Sequence, residues 1–361
     1  MDSSSRLHPP LLPEDIDHVL QHMACAWDEL RGQTIFVTGG TGFFGRWLLE
    51  TFVAANARFR LNARLLVLSR NPRRCGEQMP HLRAADAIQW IQGDVRDFVF
   101  PEEPCSHVIH AATDTVVPRP QGGPWPEHLS TIVDGTRRVL EFAAATGAAK
   151  VLYVSSGAVY GPQPSAITHL PEDYGGGPNP LEESAWYGEG KRLAELLCAQ
   201  SRRSSKIEIK IARPFAFIGP HLPLDAHFAI GNFLRDALAG ETITVRGDGT
   251  PFRSYLHAAD LAIWLWTILF RGHDGRAYNV GSGDARPISS MAQAVAAELG
   301  SPPPVVLGVA KQPAAPPSRY VPDVSRASLE LGLAERIPLA ESIRRTARWH
   351  RLAQARTAKA A

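Results

Sequence analysis

The stretch TIFVTGGTGFFGRWLLETF, residues 34–52, constrains this chain more than any other. A short run of β-branched and aromatic residues leads into Gly39, Gly42 and Gly45, and an amphipathic helical run follows at once. Three glycines at this spacing between a strand and a helix let the backbone approach a pyrophosphate, which the helix N-terminus attracts. A bare glycine triplet would say little, and a plain strand–helix turn would need none. Phe43 and Phe44 belong to the same loop and are counted with the expected cofactor contacts.

From residue 34 onward strand-like and helix-like segments alternate. RLLVLSR, AIQWIQGDV, HVIHAAT, KVLYVSS and IEIKIARPF read as further strands, with helices such as STIVDGTRRVLEFAAATG and SAWYGEGKRLAELLCAQSRR between them. The pattern predicts an α/β fold, a doubly wound parallel sheet covered on both faces. After residue 216 the elements shorten and prolines multiply, which predicts a smaller C-terminal substrate-binding lobe. The expected divisions are a helical extension over 1–32, a cofactor domain over 33–215 and a lobe over 216–349. That lobe is interleaved with late sheet elements such as RSYLHAADLAIWLWTIL, and a tail follows over 350–361. Pro13, Glu14 and Asp15 open the extension, and Ile16, Val19, Leu20, Met23, Trp27 and Leu30 recur at helical spacing. Such a helix reads as a strap on the core or on a second subunit.

A formal charge of +2 gives no support for a nucleic-acid partner. No apolar run reaches the roughly 20 residues of a membrane span, and the first residues have no apolar signal region. Cys25, Cys75, Cys105 and Cys198 lie far apart with no metal-ligand spacing, so no metal is expected. They read as reduced thiols of a cytoplasmic protein.

The second strand decides between cofactors. A carboxylate there would bind the ribose 2′-hydroxyl of NAD(H), whereas this strand ends in Ser69 and Arg70. A cation suits a 2′-phosphate, so NADP(H) is expected over NAD(H), with Arg73 or Arg74 assisting. Asp94, followed by Val95, closes strand three where it could accept from the adenine amino group. Ala111 and Ala112 are small enough for a dinucleotide to lie across the sheet.

TGGTGFFG, GDV, HAAT, SSGAVYG, YGEGK, ARPFAFIGP, GDGTPFRSYLHAADLA and YNVGSG stand in one order over residues 33–349. In that order they resemble the extended short-chain dehydrogenase/reductase superfamily, in its nucleotide-sugar epimerase/dehydratase branch. The resemblance implies a Rossmann sheet, a nucleotide-sugar substrate and a homodimer. It assigns Ser156, Tyr187 and Lys191 as the catalytic triad, with Ser155 the structural neighbour. Tyr187 and Lys191, one helical turn apart, project from one face. A tyrosine near pKa ~10 is a poor acid at neutral pH, and a nearby cation is expected to lower it.

Gly157 and Ala158 depart from the dehydratase pattern, in which an Asp and a Glu expel water. By the same resemblance Asn232 and Arg253 grip the substrate diphosphate, Arg319 lies near the nucleotide, and Arg213-Pro214-Phe215 meets the nicotinamide carboxamide. Arginine suits diphosphate through its planar fork. The expected activity is NADPH-dependent reduction of a nucleotide-linked 4-keto-6-deoxy sugar. A nucleotide-sugar epimerase is the alternative, and a decarboxylase or dehydratase stands behind it. A cofactor-sensing regulator without catalysis would have lost the Tyr/Lys pair, and both residues are present.

Overall fold

The computed structural model describes residues 7–113, 126–226, 228–299, 305–308 and 316–360. Its first half runs α1 (Pro13–His22), β1 (Thr34–Thr38), α2 (Phe43–Phe59), β2 (Arg64–Ser69), α3 (Pro72–Gln78), α4 (Pro80–Arg83), β3 (Ile88–Gln92), β4 (His107–His110), α5 (Pro126–Thr146) and β5 (Lys150–Val154). Then come α6 (Trp186–Ser204), β6 (Glu208–Pro214), β7 (Phe217–Ile218), α7 (Ala229–Ala239), β8 (Ile243–Val245), β9 (Phe252–Arg253), β10 (Leu256–His257) and α8 (Ala258–Arg271). The chain closes with β11 (Ala277–Val280), β12 (Arg286–Pro287), α9 (Ile288–Glu298), β13 (Val305–Leu307), β14 (Arg319–Tyr320), α10 (Ser325–Leu331) and α11 (Leu339–Ala360).

Seven of these strands form one parallel sheet in the order β11-β6-β5-β4-β1-β2-β3. The chain winds outward from β1 through β2 to β3, then returns to β4 on the other side of β1. The switch point between β1 and β4 opens a crevice at the carboxyl edge, where α/β sheets bind ligands. The expected doubly wound Rossmann sheet is therefore present. The seventh strand is β11, from the YNV of YNVGSG. RSYLHAADLAIWLWTIL was expected to supply a late sheet element. Its Arg253 ends β9, its Leu256–His257 pairs only with β7, and from Ala258 on it is α8. All of Ala258–Phe270 is buried, so α8 is apolar all round because it is core and not because it is strand.

Alternation along β1 builds the two faces. Ile35 and Val37 join Leu65, Val67, Ile109 and Leu152 in a core under α2 and α8, with Trp27, Trp47, Trp264 and Trp266. Phe36 points the other way, to Val108, Val151 and Ile209 beneath Phe142 of α5 and Cys198 of α6. A separate core, including Ile230, Leu234, Ile243, Met291 and Ile343, fills the later lobe.

The N-terminal helix is a strap on this chain's own core. His18 Nε2 lies 2.8 Å from Asp260 Oδ1, and Arg345 Nη1 donates to Asp15 Oδ1 at 2.8 Å. Asp260 Oδ2 also accepts from the backbone N–H groups of Arg336 (2.9 Å) and Ile337 (3.0 Å), at 0% exposure. One carboxylate thus joins α1, α8 and the turn before α11. Asp260→Ala leaves these donors unpaired in the interior and should destabilise the fold by about 3–5 kcal/mol. Urea unfolding measures it, and a loss under about 1 kcal/mol would contradict this account.

Candidate active site

Gly39 ends β1 with φ +74°, and a Cβ there would lie 2.5 Å from the Ala111 carbonyl. Only glycine allows β1 and β4 to converge this closely at the switch point. Gly42 caps α2, and a Cβ on it would meet only Gly39 O at 3.5 Å, so its open side faces the crevice. A bare helix N-terminus beside open space fits a dinucleotide pyrophosphate. The cleft measures about 3,010 Å³, against roughly 300–1,000 Å³ for a single-ligand site. There is room for two extended ligands.

The predicted cofactor contacts converge on this cleft. Gly39, Gly42, Phe43, Phe44, Gly45, Ser69, Arg70, Asp94, Val95, Ala111, Ala112 and Pro214 all line it. Arg74 lines it as well, whereas Arg73 reaches Glu77 at 3.1 Å on the exposed side of α3. Asp94 is clamped by Arg96, whose Nε donates at 2.8 Å and whose Nη2 donates at 3.1 Å, holding its carboxyl below the usual range.

Ser156 and Tyr187 line the cleft, whereas Lys191 is buried and is not among the described lining residues. Ser156 Oγ accepts from Ala158 N at 3.1 Å and caps the short turn Gly157–Tyr160. Ser155 Oγ instead donates to Glu195 Oε1 at 2.6 Å, which commits it to the scaffold. Glu195 is also forked by Arg213, at 2.6 and 3.0 Å. The glycines of YGEGK now have a physical reason. A Cβ on Gly188 would stand 2.6 Å from Ala158 O, and one on Gly190 would stand 2.9 Å from Leu129 Cδ1. Helix α6 presses directly on the turn that carries Ser156, and this brings the Tyr187 hydroxyl to it.

The electrostatics differ from expectation. Burial pushes Tyr187 up, and the groups that pull it back are the Ser156 and Thr113 hydroxyls, not Lys191. Lys191 is 1% exposed, donates to Val154 O at 2.8 Å and lies 5.0 Å from the Tyr153 ring. Its own burial brings it down to about 7, with Glu195 and Cys198 opposing. His110 is driven down to about 3 by burial and by Lys191. Neutral, it bridges Thr38 Oγ1 (2.7 Å) and Thr136 Oγ1 (3.0 Å).

The sequence reading missed Tyr320. A Cβ on Gly157 would meet the Tyr320 hydroxyl at 2.7 Å and the Phe215 ring at 2.8 Å. Burial raises the pKa of the Tyr320 hydroxyl strongly, and Ser156 opposes that rise as it does for Tyr187. The position departing from the dehydratase pattern is packed by aromatic rings, 4.6 Å apart. Arg253 lines the cleft, as does Tyr320, but Arg319 and Asn232 are not among the described lining residues. Arg319 lies over the Phe252 ring at 4.1 Å, and Asn232 Oδ1 accepts from Arg235 at 3.2 Å. Strand alternation sends Tyr320 inward and its neighbour outward, and Arg235, three residues after Asn232, faces the cleft instead. Among the described residues no acidic, His or Cys cluster could hold a metal. None of their helices is long and apolar enough to cross a membrane.

A family model described as the NAD dependent epimerase/dehydratase family matches residues 35–281. The chain is 30% identical over 310 residues to UDP-glucuronic acid decarboxylase 6 of Arabidopsis thaliana, covering 86% of each. It is 34% identical over 215 residues to UDP-glucuronic acid decarboxylase 3 of the same plant, spanning 60% of this chain and 61% of that one. Among solved structures it resembles DesIV, a dTDP-glucose 4,6-dehydratase from Streptomyces venezuelae with NAD and TYD bound. There the TM-score is 0.72 at 25% identity, over 89% of this chain and 98% of that one.

Because Lys191 is held near 7, ribose hydroxyls that accept from its ammonium should raise its pKa again. Cofactor binding at pH 8 should then take up protons, and affinity should fall as pH rises above about 7. Calorimetry in buffers of different ionisation enthalpy would read the uptake, which Lys191→Met should remove. Equal uptake in that variant would assign it elsewhere.

Proposed function

The chain belongs to the NAD-dependent epimerase/dehydratase family, and from that premise we propose that it is an NADPH-dependent reductase of a nucleotide-linked 4-keto-6-deoxy sugar. The observation that carries the reading is the packing around Gly157 and Ala158. Elimination of water needs an acid and a base at the far edge of the sugar. Here the Cβ space of Gly157 is taken by Phe215 and the Tyr320 hydroxyl, and Ala158 has no ionisable group. Phenols and a serine remain, which suits ketone chemistry.

Reduced nicotinamide, when bound, supplies the hydride. Tyr187 gives the proton to the carbonyl oxygen, and Ser156 holds that oxygen by a hydrogen bond. Tyr320, whose hydroxyl stands beside Gly157, is a second phenol close to Ser156. Lys191 binds the ribose hydroxyls and favours the tyrosinate left after proton transfer. Arg253 grips the substrate diphosphate, and Arg235 is nearer the cleft than Asn232 for the same task. Arg70 just after β2 and Arg74 in α3 support NADP(H) over the NAD seen with DesIV. The reading includes a homodimer, for which the exposed Leu193 and Leu196 of α6 offer an apolar face. It includes a cytoplasmic setting too, consistent with four free cysteines.

An epimerase that returns its hydride is the second reading, since the same cluster of hydroxyls serves oxidation and reduction alike. The decarboxylase reading rests on the names of relatives.

Incubated with a panel of nucleotide-linked 4-keto-6-deoxy sugars, the protein should oxidise NADPH stoichiometrically with at least one. Tyr187→Phe should lower the rate roughly 10²–10⁴-fold while cofactor affinity survives. Epimers formed without net NADPH oxidation would establish the second reading. Carbon dioxide released from UDP-glucuronic acid would establish the third, and a near-normal Tyr187→Phe rate would remove the triad.

A further inference from the structure

At the ribose end of the cleft lies a cluster that ketone reduction does not use. Residues 7–12 run ahead of α1 and are pinned along their length. His8 N donates to Gln78 O at 2.9 Å, Leu11 N donates to Glu50 Oε2 at 2.6 Å, and Trp349 Nε1 donates to Pro10 O at 3.0 Å. The anchor Glu50 is 6% exposed and faces His221 Nε2 at 2.9 Å and His81 Nε2 at 3.3 Å. These partners keep its carboxyl at about 2 despite burial.

The pinned segment sets His8 in the cleft wall, with Arg46, Ser69, Arg70, Arg74 and Cys75. Arg46 directly follows the glycine loop. Its Nη1 donates to His8 Nε2 at 3.0 Å and its Nε donates to Thr41 O at 3.0 Å. Cys75, which lines the same wall and acts electrostatically on Arg46, reaches Ser69 Oγ at 3.3 Å. A continuous line thus runs from the strap through Arg46 to the end of β2. Burial brings the guanidinium down to about 10, so it stays charged at neutral pH. Among the described residues Arg46 makes no ion pair within contact distance; it donates to Thr41 O and to the His8 ring, with the Glu50 carboxylate acting on it from further off. A desolvated guanidinium at the wall of a cleft, without a carboxylate in contact among the described residues, is organised for an anion that arrives from outside.

We propose that the N-terminal strap is part of the cofactor site. His8 holds Arg46 in place, so that Arg46, Arg70 and Arg74 together receive a phosphate monoester on the 2′-oxygen of the adenosine ribose. This deepens, and rests on, the NADP(H) reading. His8 is a positioning residue, because it accepts from Arg46 and leaves the remaining guanidinium N–H groups for phosphate.

The test uses calorimetric affinities of the intact chain for adenosine 2′,5′-bisphosphate and for adenosine 5′-monophosphate. The wild type should prefer the bisphosphate. His8→Ala should weaken the bisphosphate about tenfold and the monophosphate less than about twofold, the scale of one misplaced charge-assisted bond. His8→Gln, whose amide oxygen can accept from Arg46, should restore most of the preference. Arg46→Gln should lower it at least as far as His8→Ala, with melting temperatures confirming that each variant is folded. An unchanged preference in His8→Ala, or an equal loss for both nucleotides, would overturn the role of the strap while leaving the NADP(H) reading intact. A wild type that does not distinguish the two nucleotides would overturn the NADP(H) reading and this proposal together.

Discussion

At the carboxyl edge of the sheet the backbones after β1 and β4 close to a separation that excludes even a methyl group at Gly39. Everything in the site is measured from this convergence. It turns the N-terminus of α2 toward the crevice and places Ala111 and Ala112 as a flat floor beside it. Parallel pairing carries the same edge outward to β5, whose exit delivers Ser156. A second close approach, Gly188 against Ala158 O, docks α6 on that exit. Two backbone contacts therefore set the distance between the place for a dinucleotide and the hydroxyls of Ser156 and Tyr187.

The chemistry of the cluster is governed by dehydration. Lys191, His110, Tyr153 and Tyr187 lie in one apolar layer, and burial shifts each toward its neutral form. Charge is kept where it is forked, as in Glu195 with Arg213, and where Arg46 stands at the cleft wall. Such a layer holds weak acids and bases close to neutrality. A small change of charge nearby is enough to move a proton within it.

Much of this was legible in the chain. The glycine loop and the alternation of strands and helices are local patterns, and local patterns survive folding. Long-range packing was not legible. Nothing within PSRYVP says which side of a two-residue strand faces the cleft, and pairing of β14 with β9 decides it for Tyr320 over Arg319. RSYLHAADLAIWLWTIL looked like sheet because continuous apolarity marks burial without naming the element. The buried N-terminal strap depends on Glu50 and Trp349, residues from opposite ends of the sequence, and no spacing rule joins them.

That join between Trp349 and Pro10 has a consequence for the order of events during synthesis. The glycine loop and all its strand neighbours leave the ribosome long before residue 349 does. Until then Pro10 has no tryptophan to accept from, and the segment carrying His8 lacks one of its three ties. The nascent sheet can already be wound while the ribose end of its crevice still gapes. The segment around His8 therefore settles only after Trp349 has been made, and that wall of the cleft is completed late.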